Sequence, residues 1–174
     1  AEIVGPDGAP VPDGEPGRLR VRGGSTALCY WADKAKSRET FQGEWCTSAD
    51  IFRRDPAGYY YYEGRSDDLL KVSGIWVSPL EIENALLEHP SVAEVCVVGR
   101  EDQDDLVKPH AFVVLAAGVA PGDATAAALK AHCPGRMAPS KYPRWFEWRA
   151  GLPKNDRGKV ARAELKAELA RRPG

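Results

Sequence analysis

The chain has 174 residues, 43% of them apolar and 28% charged, with a formal net charge of -1. That length suits one ordinary domain or two small ones, and the balance is ordinary for a globular protein. No apolar run approaches the ~18 residues a membrane helix needs, and the Gly-, Pro- and charge-rich residues 1–24 do not read as a signal peptide. Cys29, Cys46, Cys96 and Cys133 show no Cys-x-x-Cys spacing, and the three histidines form no metal set. The thiols are expected to be reduced, cytosolic and in or near a core. Charge is uneven: from Arg136 onward there are 11 Lys+Arg against 4 Asp+Glu, and the preceding part is net acidic. A basic end suggests an anionic partner, with a small phosphate-bearing ligand explaining it as well as nucleic acid does.

In chain order, the first element is a strand, Gly17–Arg22, whose alternation would turn Leu19 and Val21 to a core and the arginines to water. A short helix is expected across Lys34–Phe41. Ile51–Arg54 and Tyr59–Glu63 read as strands joined by the turn Asp55-Pro56-Ala57-Gly58. This first third is β-rich, with too few strands to close a core alone. Leu69–Val72 and Ile75–Val77 then form a hairpin around Ser73-Gly74. Ser78-Pro79-x-Glu81 is a capping box with Pro at the first helical position, opening a helix to about Glu88. Val92–Val98 is an apolar run fit for a central strand, followed by the acidic loop Glu101–Asp105. Pro109–Leu115 reads as a strand, and Asp123 caps an Ala-rich helix that ends near Pro134. Tyr142–Trp148 is a last strand, Gly151–Gly158 a loop, and Ala161–Arg171 a helix with Leu165 and Leu169 on one face. Helices and strands mix on a small sheet, an α+β arrangement.

Tyr62 to Glu83 is the stretch around which the chain is organised. It puts Arg65, Asp67, Asp68 and Lys71 within seven residues, then a Gly turn, then a helix start. Three clusters together resemble the adenylate-forming acyl-CoA synthetases: Glu44-Trp45 with Asp50; Gly64-Arg65-Ser66-Asp67-Asp68, Lys71, Gly74, Pro79 and Glu81; and Leu152-Pro153-Lys154-Asn155-Asp156-Arg157-Gly158-Lys159. Lys71–Pro79 and Ala138–Trp145 look most like benzoate-CoA ligases within that family. The resemblance covers essentially the whole chain and only the C-terminal part of such an enzyme. The Ser/Thr/Gly-rich phosphate-binding loop and the acid pocket are not encoded in it.

What the resemblance implies is a two-step ligase. A carboxylate attacks ATP to give acyl-AMP and diphosphate, and coenzyme A then displaces AMP, with the C-terminal domain rotating between the steps. The implied fold is α+β: residues 1–66 as the β-rich end of a large N-terminal adenylation domain, and residues 67–174 as a small mobile C-terminal domain with a short central sheet. The implied substrate is an aromatic carboxylate such as benzoate, with ATP, Mg2+ and CoA. ATP and Mg2+ would be held mainly by N-terminal sequence. The implied setting is cytoplasmic, with the N-terminal adenylation domain as partner and neither nucleic acid nor membrane.

Residue by residue, Asp50 matches the aspartate that accepts from both ribose hydroxyls. Here it sits in Ser48-Ala49-Asp50 rather than Thr-Gly-Asp; a plain turn aspartate is the competing reading. Arg65 matches an arginine on the same ribose, against a structural ion pair with Asp67 or Asp68. Asp67 matches the hinge, which needs a solvated side chain and changeable φ/ψ. Lys159 matches the adenylation lysine, an ammonium stabilising charge that develops on the α-phosphate, against one more surface lysine. Gly151 and Gly158 lie too far apart for a P-loop, and Val160 stands where Ser/Thr is needed. Lys71 and Gly74 match the hairpin that enters the site for thioester formation, against an ordinary surface turn. Lys141, with Arg144, is a candidate for the CoA phosphates, against a generally basic surface. Trp76 is expected in the core, against packing on the larger domain. Acyl transfer to a carrier protein, a non-catalytic nucleotide-binding module, and nucleic-acid binding by the basic end remain alternatives.

Overall fold

The structure is a computed structural model, and it describes residues 1–172. The expected end of the second domain, at Gly174, lies outside the described residues. Two compact units are present, Ala1–Asp67 and Asp68 onward.

Unit 1 contains β1 (Glu2–Val4), β2 (Pro16–Arg22), α1 (Lys34–Thr40), β3 (Phe41–Gln42), β4 (Trp45–Arg54) and β5 (Tyr60–Arg65). They form an antiparallel sheet in the order β1-β2-β4-β3, with β5 also on β4. Asp33 caps α1, its carboxylate accepting from Lys36 N at 3.0 Å. The expected inward turn of Leu19 and Val21 does not hold. Leu19 is half-buried and Val21 is exposed, while Arg18 and Arg20 are half-buried. A register shift between Arg18 and Arg20 breaks the alternation. Arg20 is then satisfied at the sheet surface, 2.7 Å from Glu2 and with its guanidinium 4.6 Å from the Trp45 ring centre.

Unit 2 contains β6 (Leu70–Val72), β7 (Ile75–Val77), α2 (Pro79–Leu87), β8 (Val92–Glu101), β9 (Val107–Leu115), α3 (Asp123–His132), β10 (Trp145–Trp148) and α4 (Arg162–Ala170). Its main sheet runs β10-β9-β8, with β8 and β9 antiparallel and β9 and β10 parallel. β8, expected at the centre, is an edge strand. Its continuous apolar run reflects cover on both faces rather than a central place. Val95 and Val97 join Ala111, Val113, Ile82, Leu86 and Leu129 in one core. Cys96 and Val98 join Phe112, Leu152, Leu165 and Leu169 in the other. Thus α2 and α3 cover one face and α4 the other. Each such Val, Leu or Ile contributes about 1.5–3 kcal/mol by leaving water.

Three further expectations need correction. Gly122 (φ 148), not Asp123, is the N-cap of α3, because the chain enters this helix through a conformation that favours glycine. Trp76 is not core but 62% exposed. It pairs across the hairpin with Lys71, so both sit on the face opposite the buried Leu70, Val72 and Val77. Cys96 and Cys133 are buried, whereas Cys29 is exposed. Among the described residues, no helix is long and apolar enough to cross a membrane.

Candidate functional site

The candidate residues fall into separate groups, one in unit 1 and three in unit 2. In unit 1, β4 and β5 pair Asp50 directly opposite Arg65. The Arg65 guanidinium lies 3.6 Å from Asp50 Oδ1 and 3.2 Å from Asp67 Oδ2, so one cation bridges two carboxylates. All three side chains are well exposed. The ion pair weighed as the plain reading of Arg65 is present, and it also holds a donor fork beside the Asp50 carboxylate. Asp68, the next residue, bonds elsewhere: its carboxylate takes Lys166 at 2.8 Å and Arg162 at 3.4 Å, within unit 2.

The second group is the β6–β7 hairpin. Ser73 (φ 50) and Gly74 (φ 84) form its two-residue turn, both in the left-handed region that a primed hairpin turn demands. A side chain at Gly74 would meet no atom within 4 Å, so backbone conformation, not crowding, calls for glycine. Lys71 stands on the outer face, its ammonium 5.8 Å from the Trp76 ring centre. The hairpin therefore presents an ammonium, an indole and bare backbone together.

The third group is the loop before α4. Asn155 N donates to Lys159 O and Gly158 N to Asn155 O, each at 2.8 Å. Lys154 and Val160 bridge the stem, and Gly158 has φ 74. Asn155 Oδ1 accepts from Arg157 N and Lys159 N, each at 3.0 Å. Lys154 Nζ is tied to Glu94 at 3.0 Å. Lys159 is exposed. Among the described residues its ammonium has no hydrogen-bonding or ionic partner.

The fourth candidate, Lys141, is held differently. Both oxygens of Glu81 sit 2.6 Å from its Nζ. This exemplifies the whole basic end. Seven of its eleven cations (Arg136, Lys141, Arg149, Lys154, Arg162, Lys166 and Arg172) pair with carboxylates of unit 2. Most of the excess positive charge is answered internally; Arg157 and Lys159 on the late loop, like Arg144 and Arg171, have no carboxylate partner among the described residues. No three His, Cys, Asp or Glu among the described residues cluster to hold a metal ion.

Sequence reasoning missed the support beneath these groups. Arg162 grips Glu83 from 79 residues away, at 2.7 and 3.0 Å, and also donates to Val97 O. Burial opposes its charge, but the Glu83 hydrogen bonds and charge prevail and raise its pKa. No local pattern announces that pair. Asn155 was legible: Asn at the first and Gly at the fourth position of a turn is a recognisable signature.

Residues 81–159 match the family described as the AMP-binding enzyme C-terminal domain. The chain is 48% identical over 166 residues to a benzoate–CoA ligase of Thauera aromatica, covering 95% of this chain and 32% of the relative. It is also 48% identical to a 4-hydroxybenzoate–CoA/benzoate–CoA ligase of Rhodopseudomonas palustris, covering 94% and 31%. An anthranilate–CoA ligase solved with anthranoyl-AMP superposes with a TM-score of 0.90 at 45% identity, over 97% of this chain and 33% of that one. The chain thus spans about a third of the length of the relatives it matches. Residues 81–159 therefore belong to the AMP-binding enzyme C-terminal domain family, and the chain is similar to CoA ligases along nearly its whole length.

Proposed function

We propose that this chain serves as the C-terminal part of an ATP-dependent, AMP-forming ligase that joins an aromatic carboxylate such as benzoate to coenzyme A. The observation that carries the reading is Lys159: an exposed ammonium without a partner among the described residues, on a clamped turn within a largely neutralised basic end. Unit 1 is read as the end of an N-terminal adenylation domain, and unit 2 as its mobile C-terminal domain. In the first step, the substrate carboxylate oxygen attacks the α-phosphorus of ATP and diphosphate leaves. Lys159 stabilises the negative charge that grows on the phosphate oxygens, a role suited to a compact ammonium on a flexible stem. Asp50 accepts from the ribose hydroxyls, and Arg65 donates beside it.

In the second step the CoA sulfur attacks the acyl carbon and AMP leaves. Lys71 and the bare backbone of Gly74 line that reaction, and Lys141 lies toward the CoA phosphates. The change of face turns on the Asp67–Asp68 junction. Support comes from the adjacent carboxylates, since Asp67 bonds within unit 1 and Asp68 within unit 2. Mg2+ is assigned to N-terminal sequence. Unbridged cysteines accord with a reducing, cytoplasmic setting.

The test separates the half-reactions in the complete enzyme. Lys159→Ala is expected to lower benzoate-dependent pyrophosphate exchange by about 10²–10³-fold, the loss seen when a charge-stabilising donor is removed. Thioester formation from supplied benzoyl-AMP is spared. Lys71→Ala shows the opposite pattern. Equal loss of both steps in both variants refutes the assignment.

A further inference from the structure

We infer that Asn155 is a positioning residue for the adenylation step, holding Lys159 in a prepared geometry through its side-chain oxygen; the inference rests on the role proposed for Lys159. Two backbone N–H groups, those of Arg157 and Lys159, converge on Asn155 Oδ1 at 3.0 Å. Donors on both sides require an acceptor between them, which settles the orientation of the amide. One of the two N–H groups belongs to the lysine itself. Asn155 also contributes both backbone groups that close the turn, to Lys159 O and from Gly158 N. The backbone of Lys159 is thus bonded at N–H and at C=O to the same residue. Only its four-carbon stem remains free.

The chemistry favours a neutral amide here. An aspartate would accept the same N–H groups but would set a carboxylate near the ammonium, competing with the phosphate it serves. Alanine would leave the turn closed by backbone bonds alone, and the lysine would sample more orientations. Orientation settled during folding need not be settled during reaction, so the loss appears in the rate rather than in ground-state binding. Asn155 is exposed, and its removal opens no core.

The experiment uses the complete enzyme with Asn155→Ala and Asn155→Asp. Asn155→Ala is expected to speed hydrogen exchange at the Arg157 and Lys159 amides. It lowers kcat of pyrophosphate exchange about tenfold, equivalent to about 1.4 kcal/mol. KM for ATP stays within about twofold, and thioester formation from supplied benzoyl-AMP keeps its rate. Asn155→Asp restores the slow amide exchange and recovers adenylation above the alanine level. Faster amides with unchanged adenylation kcat overturn the inference, and so does an equal slowing of both half-reactions. Failure of the underlying reading looks different: Lys159→Ala would itself retain adenylation.

Discussion

Arg162→Ala tests the anchor on which the late loop stands. The Arg162 guanidinium meets the Glu83 carboxylate with two parallel bonds, 2.7 and 3.0 Å, and its Nε lies 3.4 Å from Asp68. The Glu83 side chain is only 8% exposed and also accepts Val97 N–H at 2.6 Å. Removing the cation leaves a buried carboxylate with one backbone donor. A broken buried pair of this kind costs about 3–5 kcal/mol, a large fraction of the roughly 5–15 kcal/mol that holds a domain folded. Urea unfolding followed by tryptophan fluorescence reads this directly, since Trp145 and Trp148 lie in the affected unit. With a slope of roughly 2 kcal/mol/M, the midpoint should fall by about 1.5–2.5 M. Replacing both partners, Glu83→Leu with Arg162→Met, removes charge and counter-charge together and should cost much less than Arg162→Ala alone. A midpoint shift below about 0.3 M for Arg162→Ala, or a double variant as unstable as the single one, refutes the anchor.

Two further outcomes follow from buried titratable groups. His110 is 2% exposed, and burial pushes it down to about 4 against the pull of Glu147, 3.2 Å from its Nε2. An unfolded imidazole titrates near 6.5, so between about pH 6.5 and 4 the unfolded chain binds the extra proton. Stability is full above that window and falls by up to roughly 3 kcal/mol as pH drops through it. Urea midpoints across pH should show the slope, and His110→Phe should flatten it; an unchanged slope in that variant counts against the assignment. Among the thiols, Cys29 is exposed, while burial pushes Cys96 up to about 12 and raises Cys133. A thiol reagent at pH 8 should label Cys29 fast, and Cys96 and Cys133 only on unfolding. Fast labelling of Cys96 in the folded chain contradicts the packing of β8 against α4.

The closed basic end bears on partners as well as on stability. Eleven cations in one stretch suggest a surface for a polyanion, yet carboxylates of unit 2 pair with seven of them. Arg144, Arg157, Lys159 and Arg171 are the four without a carboxylate partner among the described residues, and two of them share the late loop.

Features set by neighbouring residues were legible without coordinates. The Ser73-Gly74 hairpin, the Ser78 cap of α2 and the 155–159 turn each depend on local φ/ψ and on side chains two to four positions apart. The Lys159 loop could be read for the same reason, since its motif and its geometry occupy the same few residues. Tertiary structure alone decided that β8 lies at an edge and that Trp76 faces outward. It decided also that Arg18 and Arg20 lie half-buried and that Lys141 is taken by Glu81. Each depends on which distant segment covers a face or supplies a counter-charge. Alternation and composition cannot express that, because apolarity records that a residue is covered but not by what, and charge records a need for a partner but not where the fold provides one.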